Sequence, residues 1–168
     1  RETISMDKSQ INQKLGGILE KDQKMIRQFR AGKITREEIV ANNEENLRYI
    51  KTVLTQITFP FLDSFSLEAY QATVLVTLHS GDIPLMQNVV DVLSKADSKQ
   101  VVKKDIAYLI DKMRVLQNQP QLYGTQFKKS ETGKIVFFEI EDIENIDKRR
   151  SEINMETFEE YKKKIKNY

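Results

Sequence analysis

His79 is the only histidine in the sequence. Its imidazole could act as an acid or a base near neutral pH, and Asp82 lies close enough in the chain to orient it. One histidine without any cysteine is too few ligands for a usual zinc site, and no cluster of carboxylates predicts magnesium or calcium. We therefore expect an acid–base role for His79 with no metal and no cofactor. The alternative is a histidine that caps the end of a helix.

Three polar residues fall on apolar stripes of three successive predicted helices. Asp22 comes three residues after Leu19 and four before Ile26, so the three share one helix face. Asn46 lies on the next stripe, and Gln71 lies on the helix that we expect to be the most buried. Together they predict a polar pocket between helices, where helical bundles usually build their sites. The alternative is that each is a buried polar group bonded within the fold.

A buried carboxylate such as Asp22 requires a partner or a raised pKa. Arg149 and Arg150 are candidate partners, and they would also neutralise the charge of an anionic substrate. Because both follow Asp147 closely, a solvated charged turn accounts for them equally well.

Residues 119–127 read QPQLYGTQF and form the most polar and aromatic short stretch of the chain. Pro120 cannot continue the preceding helix, and Gly124 allows backbone angles that are closed to other residues. The stretch offers hydrogen-bond donors and acceptors from Gln121, Tyr123, Thr125 and Gln126. None of these is a strong nucleophile, so the loop is better suited to binding a polar ligand than to breaking a bond. The alternative is a structural turn whose glutamines bond neighbouring backbone.

The elements that must position these residues are mostly helical. Apolar residues recur at helical spacing over residues 5–118. Capping boxes are predicted over residues 35–38 and 97–100, and Ser64 or Ser66 can cap the central helix that ends near His79. Apolar and aromatic arms on either side of residues 131–133 then predict a hairpin.

We predict a mainly α fold, a single-domain helical bundle with a small β-hairpin in its C-terminal third. The single domain spans residues 1–168, with helices over 5–118, a loop and hairpin over 119–141, and a C-terminal turn and helix over 142–168. A length of 168 residues, with 39% apolar and 31% charged residues, is typical of a soluble globular protein.

The charge balance argues against a general nucleic-acid binder, since 27 basic residues stand against 25 acidic ones. No apolar run approaches the length of a membrane span. The chain opens at Arg1, so we expect that a leader or an upstream segment has been removed. This leaves two compartments open, the cytoplasm and an exported location. The lysines of the last helix are expected to form a solvated face, with a weak acidic partner as the alternative.

Several of these residues also match the pattern of a family of uncharacterised bacterial proteins, a domain of unknown function, which the chain resembles. The matching positions are Asp22, Asn46, His79, Gln87, Gln121, Tyr123, Gly124, Thr125, Gln126, Asp147, Arg149, Arg150 and Tyr161. The Gln-x-Tyr-Gly-Thr-Gln motif is the most specific of them. The chain departs from the family at Phe59, which replaces a tryptophan, and at Gly81, which replaces an aspartate. Asp111 resembles a further family position, although by helical counting it lies opposite its apolar stripe.

Three functions follow, in order of preference. The first is an enzyme, a hydrolase or transferase of a small polar or anionic substrate, with His79 as acid or base and Asp22 as its partner. Substrate-positioning roles fall to Asn46, Gln71, Gln87, Gln121, Tyr123, Thr125, Gln126, Arg149 and Arg150. The second is a non-catalytic binding module for a small ligand or peptide. The third is an interaction or immunity-like protein, whose partner the sequence does not name.

Overall fold

The computed structural model describes residues 7–166. These residues form seven α-helices and one antiparallel hairpin, so the predicted mainly α class with a late hairpin is confirmed. The helices are α1 (Lys8–Arg30), α2 (Arg36–Leu54), α3 (Leu67–His79), α4 (Ile83–Lys95), α5 (Lys103–Leu116), α6 (Ile146–Glu152) and α7 (Phe158–Ile165). The strands are β1 (Phe127–Lys129) and β2 (Ile135–Phe137), and a 3-10 turn over Ile143–Asn145 precedes α6.

The described residues divide into two compact units. Unit 1 covers residues 7–82 and 99–101, and unit 2 covers residues 83–98 and 102–166. A single domain over residues 1–168 stays a prediction.

Unit 1 is a three-helix arrangement in which α1 packs against α2 and α3. Local sequence signals start each helix. Asp7 accepts from the Ser9 amide before α1, Thr35 forms the predicted capping box before α2, and Ser66 caps α3 by accepting from the Ala69 amide. The apolar core of this unit consists of Ile11, Leu15, Ile18, Ile50, Val53, Ala69, Ala72 and Val76.

The position predicted for Gln71 is wrong. This residue is exposed, as is Leu67 one turn earlier, whose side chain is 49% exposed. The reason is that α3 is apolar around most of its circumference, so its sequence does not identify the narrow strip that faces solvent. Residues 67, 68, 71 and 79 are the exposed ones in α3.

The capping box predicted over residues 97–100 is also wrong. Helix α5 begins after Val102, which makes no side-chain cap. Gln100 instead donates from Nε2 to Asp63 Oδ2 at 2.6 Å, and its carbonyl accepts from the Leu62 amide at 3.1 Å. The turn before α5 is therefore held by contacts with the loop between α2 and α3. These contacts use the Gln100 side chain that the predicted cap would have required.

Unit 2 contains the α4–α5 pair, the hairpin and the last two helices. The predicted hairpin forms, and in it Phe127 pairs with Phe137. A small apolar cluster joins Ile146, Phe158, Tyr161 and Ile165, with partly buried residues of the hairpin packed against it. This cluster brings α7 against the segment that carries residues 119–127.

Candidate functional site

A single buried carboxylate organises the loop over residues 119–127. Asp111 in α5 is fully buried. Its Oδ1 accepts from the amides of Leu122 at 2.7 Å and Tyr123 at 3.0 Å, and its Oδ2 accepts from the amide and the hydroxyl of Thr125, each at 2.9 Å. Helical counting places Asp111 opposite the apolar stripe of α5, and the residue is buried there because the loop folds back and covers that face of the helix.

Gln121 joins this loop to the segment that follows the hairpin. Its Nε2 donates to the carbonyls of Gln126 and Phe138 at 2.9 and 3.0 Å, and its Oε1 accepts from the Gln126 amide at 2.8 Å. Both amide protons and one oxygen lone pair are thus used inside the fold. Gln121 has the contacts of a structural residue, in line with the turn alternative considered from sequence.

Gly124 explains why the loop contains a glycine. Its φ is 68°, in the left-handed region that favours glycine. A Cβ at this position would lie 2.7 Å from Phe158 Cε2 and 3.0 Å from Ile146 Cδ1. The loop backbone therefore lies directly against α6 and α7, and the Tyr161 hydroxyl donates to the Thr125 carbonyl at 3.2 Å.

The two arginines hold the same loop through backbone carbonyls. Arg149 donates from Nε to the Leu122 carbonyl at 2.8 Å. Arg150, which is 0% exposed, donates from Nη1 to the Tyr123 carbonyl at 2.6 Å and from Nε to the Glu156 carbonyl at 2.7 Å. Its guanidinium also lies 4.9 Å from the ring centroid of Tyr161. Both arginines thus restrain the loop from the α6 side.

Tyr123 and Gln126 are less buried than the other polar residues of this loop, Gln121 and Thr125. Burial, together with the negative charge of Asp111, raises the pKa of the Tyr123 phenol, so the phenol stays protonated over the physiological range. Gln126 donates from Nε2 to the Thr125 hydroxyl at 3.1 Å and is partly exposed. These two side chains are the part of the motif best able to reach a ligand.

In unit 1 the apolar core gives way to polar residues along the same helix faces. On α1 the buried series Ile11, Leu15 and Ile18 continues to Asp22, and on α2 the series Val53 and Ile50 continues to Asn46 and Asn42. Asp22 is only 8% exposed, and the buried oxygens Asp22 Oδ2 and Asn42 Oδ1 have no hydrogen-bond partner within residues 7–166. An arginine partner for Asp22 Oδ2 is therefore not found in that range.

Asp22 and His79 line one small cavity, together with Asn43 and Ser80. About 10 Å³ of it is open to the centre of a water-sized sphere, enough for roughly one water molecule. Burial raises the pKa of the Asp22 carboxyl, and the nearby charge of His79 partly offsets this rise. His79 itself is exposed as the last residue of α3, so the cavity combines a desolvated acid with a solvent-accessible imidazole.

The remaining predicted residues lie elsewhere. Gln87 is exposed on α4 and donates to Asp91 Oδ1 at 2.8 Å. Asp82 forms an ion pair with Lys51 Nζ at 2.6 Å. Asn46 is buried and lines a groove between α1 and α2 that shares no lining residue with the Asp22–His79 cavity.

The structure thus gathers the predicted residues into separate groups. Asp22 and His79 share a cavity in unit 1, whereas Gln121, Tyr123, Thr125, Gln126, Arg149 and Arg150 belong to one hydrogen-bonded network in unit 2. Sequence reasoning missed Asn42 and Asn43. The spacing of four residues between Asn42 and Asn46 was an available signal, because it places both on one helix face.

Two further properties bear on the kind of site. Within residues 7–166 no group of three or more acidic, histidine or cysteine side chains could hold a metal ion. Over the same residues no helix has both the length and the apolar composition required to cross a membrane.

These features define a mainly α protein with a polar centre between three helices and an aspartate-organised loop. The chain belongs to a family of unknown function, DUF6624, which it matches over residues 10–168. Comparisons with curated proteins and with solved structures find no match.

Proposed function

We propose that the protein is an enzyme whose acid–base centre is the Asp22–His79 cavity, and that it acts on a small polar or anionic substrate. The observation that supports this is the buried Asp22 carboxylate, whose Oδ2 has no hydrogen-bond partner within residues 7–166 although it lines a cavity with the only imidazole. A fold does not require such a carboxylate, because burying a carboxylate oxygen without a hydrogen-bond partner is unfavourable. Catalytic groups are commonly held in this kind of environment.

The two groups have complementary environments. Asp22 is desolvated, so its pKa is raised and it can exchange a proton closer to neutral pH than an ordinary aspartate. His79 is exposed and can reach a substrate that docks from solvent. We assign His79 as the general acid or base and Asp22 as the group that orients it or shares its proton.

Hydrolysis suits this cavity better than group transfer between two large substrates. Space for about one water molecule beside an acid–base pair is sufficient for a nucleophilic water. The rest of the substrate would lie outside the cavity, on the exposed side of His79. Separately from this cavity, Tyr123 and Gln126 stay our candidates for ligand contacts made by the loop of unit 2, whereas Gln121, Thr125 and Arg150 maintain the loop's shape.

The test is a turnover screen with pooled chromogenic esters, phosphoesters, amides and glycosides. For any substrate that is turned over, His79→Gln and Asp22→Asn should each reduce kcat by about 10²- to 10⁴-fold. The matched control is Glu68→Gln, an exposed position on the same helix as His79. Full turnover by His79→Gln would remove the role given to the imidazole, and a ligand that binds but is recovered chemically unchanged would favour a binding module.

A further inference from the structure

Helix α1 contains two adjacent glycines in its interior, Gly16 and Gly17, and they differ in what surrounds them. A glycine inside a helix costs about 1 kcal/mol relative to alanine. A Cβ on Gly16 would lie 3.8 Å from Glu68 Cβ, in ordinary van der Waals contact with α3. A Cβ on Gly17 would meet no atom within 4 Å. The missing side chain of Gly17 therefore leaves open space.

That open space is a groove between α1 and α2 with a volume of about 290 Å³. This is close to the lower limit of small-molecule sites in proteins. Its lining includes Lys14, Gly17, Lys21, Glu45, Asn46 and Tyr49.

A buried amide lines this groove. Asn46 is only 5% exposed, and it contributes to the wall of the groove. A side-chain amide carries both hydrogen-bond donors and an acceptor, so Asn46 can offer polar contacts to a molecule bound there. With the open space at Gly17, Asn46 gives the groove a polar group beside bare backbone.

The charges around the groove favour an anion. The Lys14 ammonium is held 4.0 Å from the ring centroid of Tyr49, which places a cation at the rim. Lys21 Nζ lies 3.8 Å from Glu45 Oε2, so these two charges largely balance each other. Burial raises the pKa of the Tyr49 phenol, which stays neutral and adds no opposing charge.

We propose that this groove is a binding site for a small organic carboxylate. The carboxylate would lie between the Lys14 ammonium and the Asn46 amide, and the apolar part of the ligand would lie over the bare backbone at Gly17. A carboxylate matches these partners because charge-assisted hydrogen bonds from an ammonium are stronger than neutral ones. Because the groove shares no lining residue with the Asp22–His79 cavity, this site stands or falls independently of the proposed enzyme activity.

The test is an NMR titration of the ¹⁵N-labelled protein with sodium propionate and sodium benzoate, with sodium chloride at the same ionic strength as control. Saturable shifts of amide signals within residues 14–21 and 45–49 are expected with at least one carboxylate. Shifts no larger than those with chloride would overturn the proposal.

Two pairs of variants sharpen this result. Gly17→Leu places a side chain in the open groove and should abolish the shifts, whereas Gly16→Ala, which also replaces a helical glycine, should retain them. Lys14→Gln should weaken binding about tenfold or more, whereas Lys24→Gln, an exposed lysine outside the groove, should not. Unchanged affinity in Lys14→Gln would overturn the proposed geometry even if Gly17→Leu failed to fold.

Discussion

The Asp111 carboxylate accepts two hydrogen bonds from Thr125, one from its amide and one from its hydroxyl, each at 2.9 Å. Together with the Leu122 and Tyr123 amides, these donors surround a fully buried charge. Backbone amides that converge in a tight loop form a natural anion site. Here the anion is supplied by the protein itself, because the Asp111 carboxylate in α5 accepts from these loop donors.

We therefore expect Asp111→Asn to destabilise the protein. The substitution replaces an acceptor by an amide nitrogen that faces backbone donors, at a cost of roughly 2 to 4 kcal/mol. Urea unfolding followed by circular dichroism measures the change. Asp91→Asn, at an exposed position on α4, is the matched control and should change the free energy of unfolding little. Equal stability of the two variants would contradict the organising role of Asp111.

Gly124→Ala tests how closely the loop approaches α7. The alanine backbone would have to keep the left-handed conformation of Gly124. Its methyl group would lie 2.7 Å from Phe158 Cε2. Strain and overpacking together predict a loss of about 2 to 4 kcal/mol in the free energy of unfolding. Gly133→Ala carries only the first effect, because its φ is 75° and a Cβ there would have no atom within 4 Å, so a loss of about 1 kcal/mol is expected. A smaller loss at Gly124 than at Gly133 in thermal or urea unfolding would argue against the close approach.

The charge of His79 should be visible in the titration of Asp22. His79 lowers the pKa of the Asp22 carboxyl against the larger rise caused by burial. His79→Gln removes that attraction, so the pKa of Asp22 should rise further. The measurement is the pH dependence of the Asp22 side-chain ¹³C resonance in the wild-type protein and the variant. A pKa that stays the same or falls in His79→Gln would show that His79 does not lower the pKa of Asp22.

Asp22 also predicts a pH dependence of stability. Because its pKa is raised in the folded state, the folded protein binds a proton more tightly than the unfolded chain. The stabilisation from this proton is complete below the ordinary aspartate pKa and is lost as the pH rises through the folded-state pKa. Asp22→Asn should therefore unfold at higher urea than wild type at neutral pH, with a smaller difference near the ordinary aspartate pKa. A loss of stability that is equal at both pH values would instead indicate a structural carboxylate.

Much of the fold was predictable because its signals are local. The Thr35 capping box and the Ser66 cap depend on residues three positions apart, and the hairpin around Gly133 pairs residues at most ten positions apart. Asp22 was identified by the same logic, since its place on the Ile11–Ile18 stripe follows from helical periodicity alone. The sequence predicts Asp22 as a partner of His79 from residue type alone, and the shared cavity is a feature of the tertiary structure.

Positions that depend on distant partners were not predictable. Gln71 is exposed because no other element covers its side of α3, and Asp111 is buried because the loop over residues 119–127 covers its side of α5. The turn at Gln100 is held by a hydrogen bond to Asp63, which is 37 residues away in the sequence. The same holds for the loop over residues 119–127. The sequence predicts its polar groups to be ligand contacts, but most of them form hydrogen bonds within the protein. The sequence by itself determined the helices, the hairpin and the residue types able to do chemistry, since these follow from short-range backbone preferences. Only the tertiary structure decided which polar groups are paired and which face open space, because that depends on long-range packing.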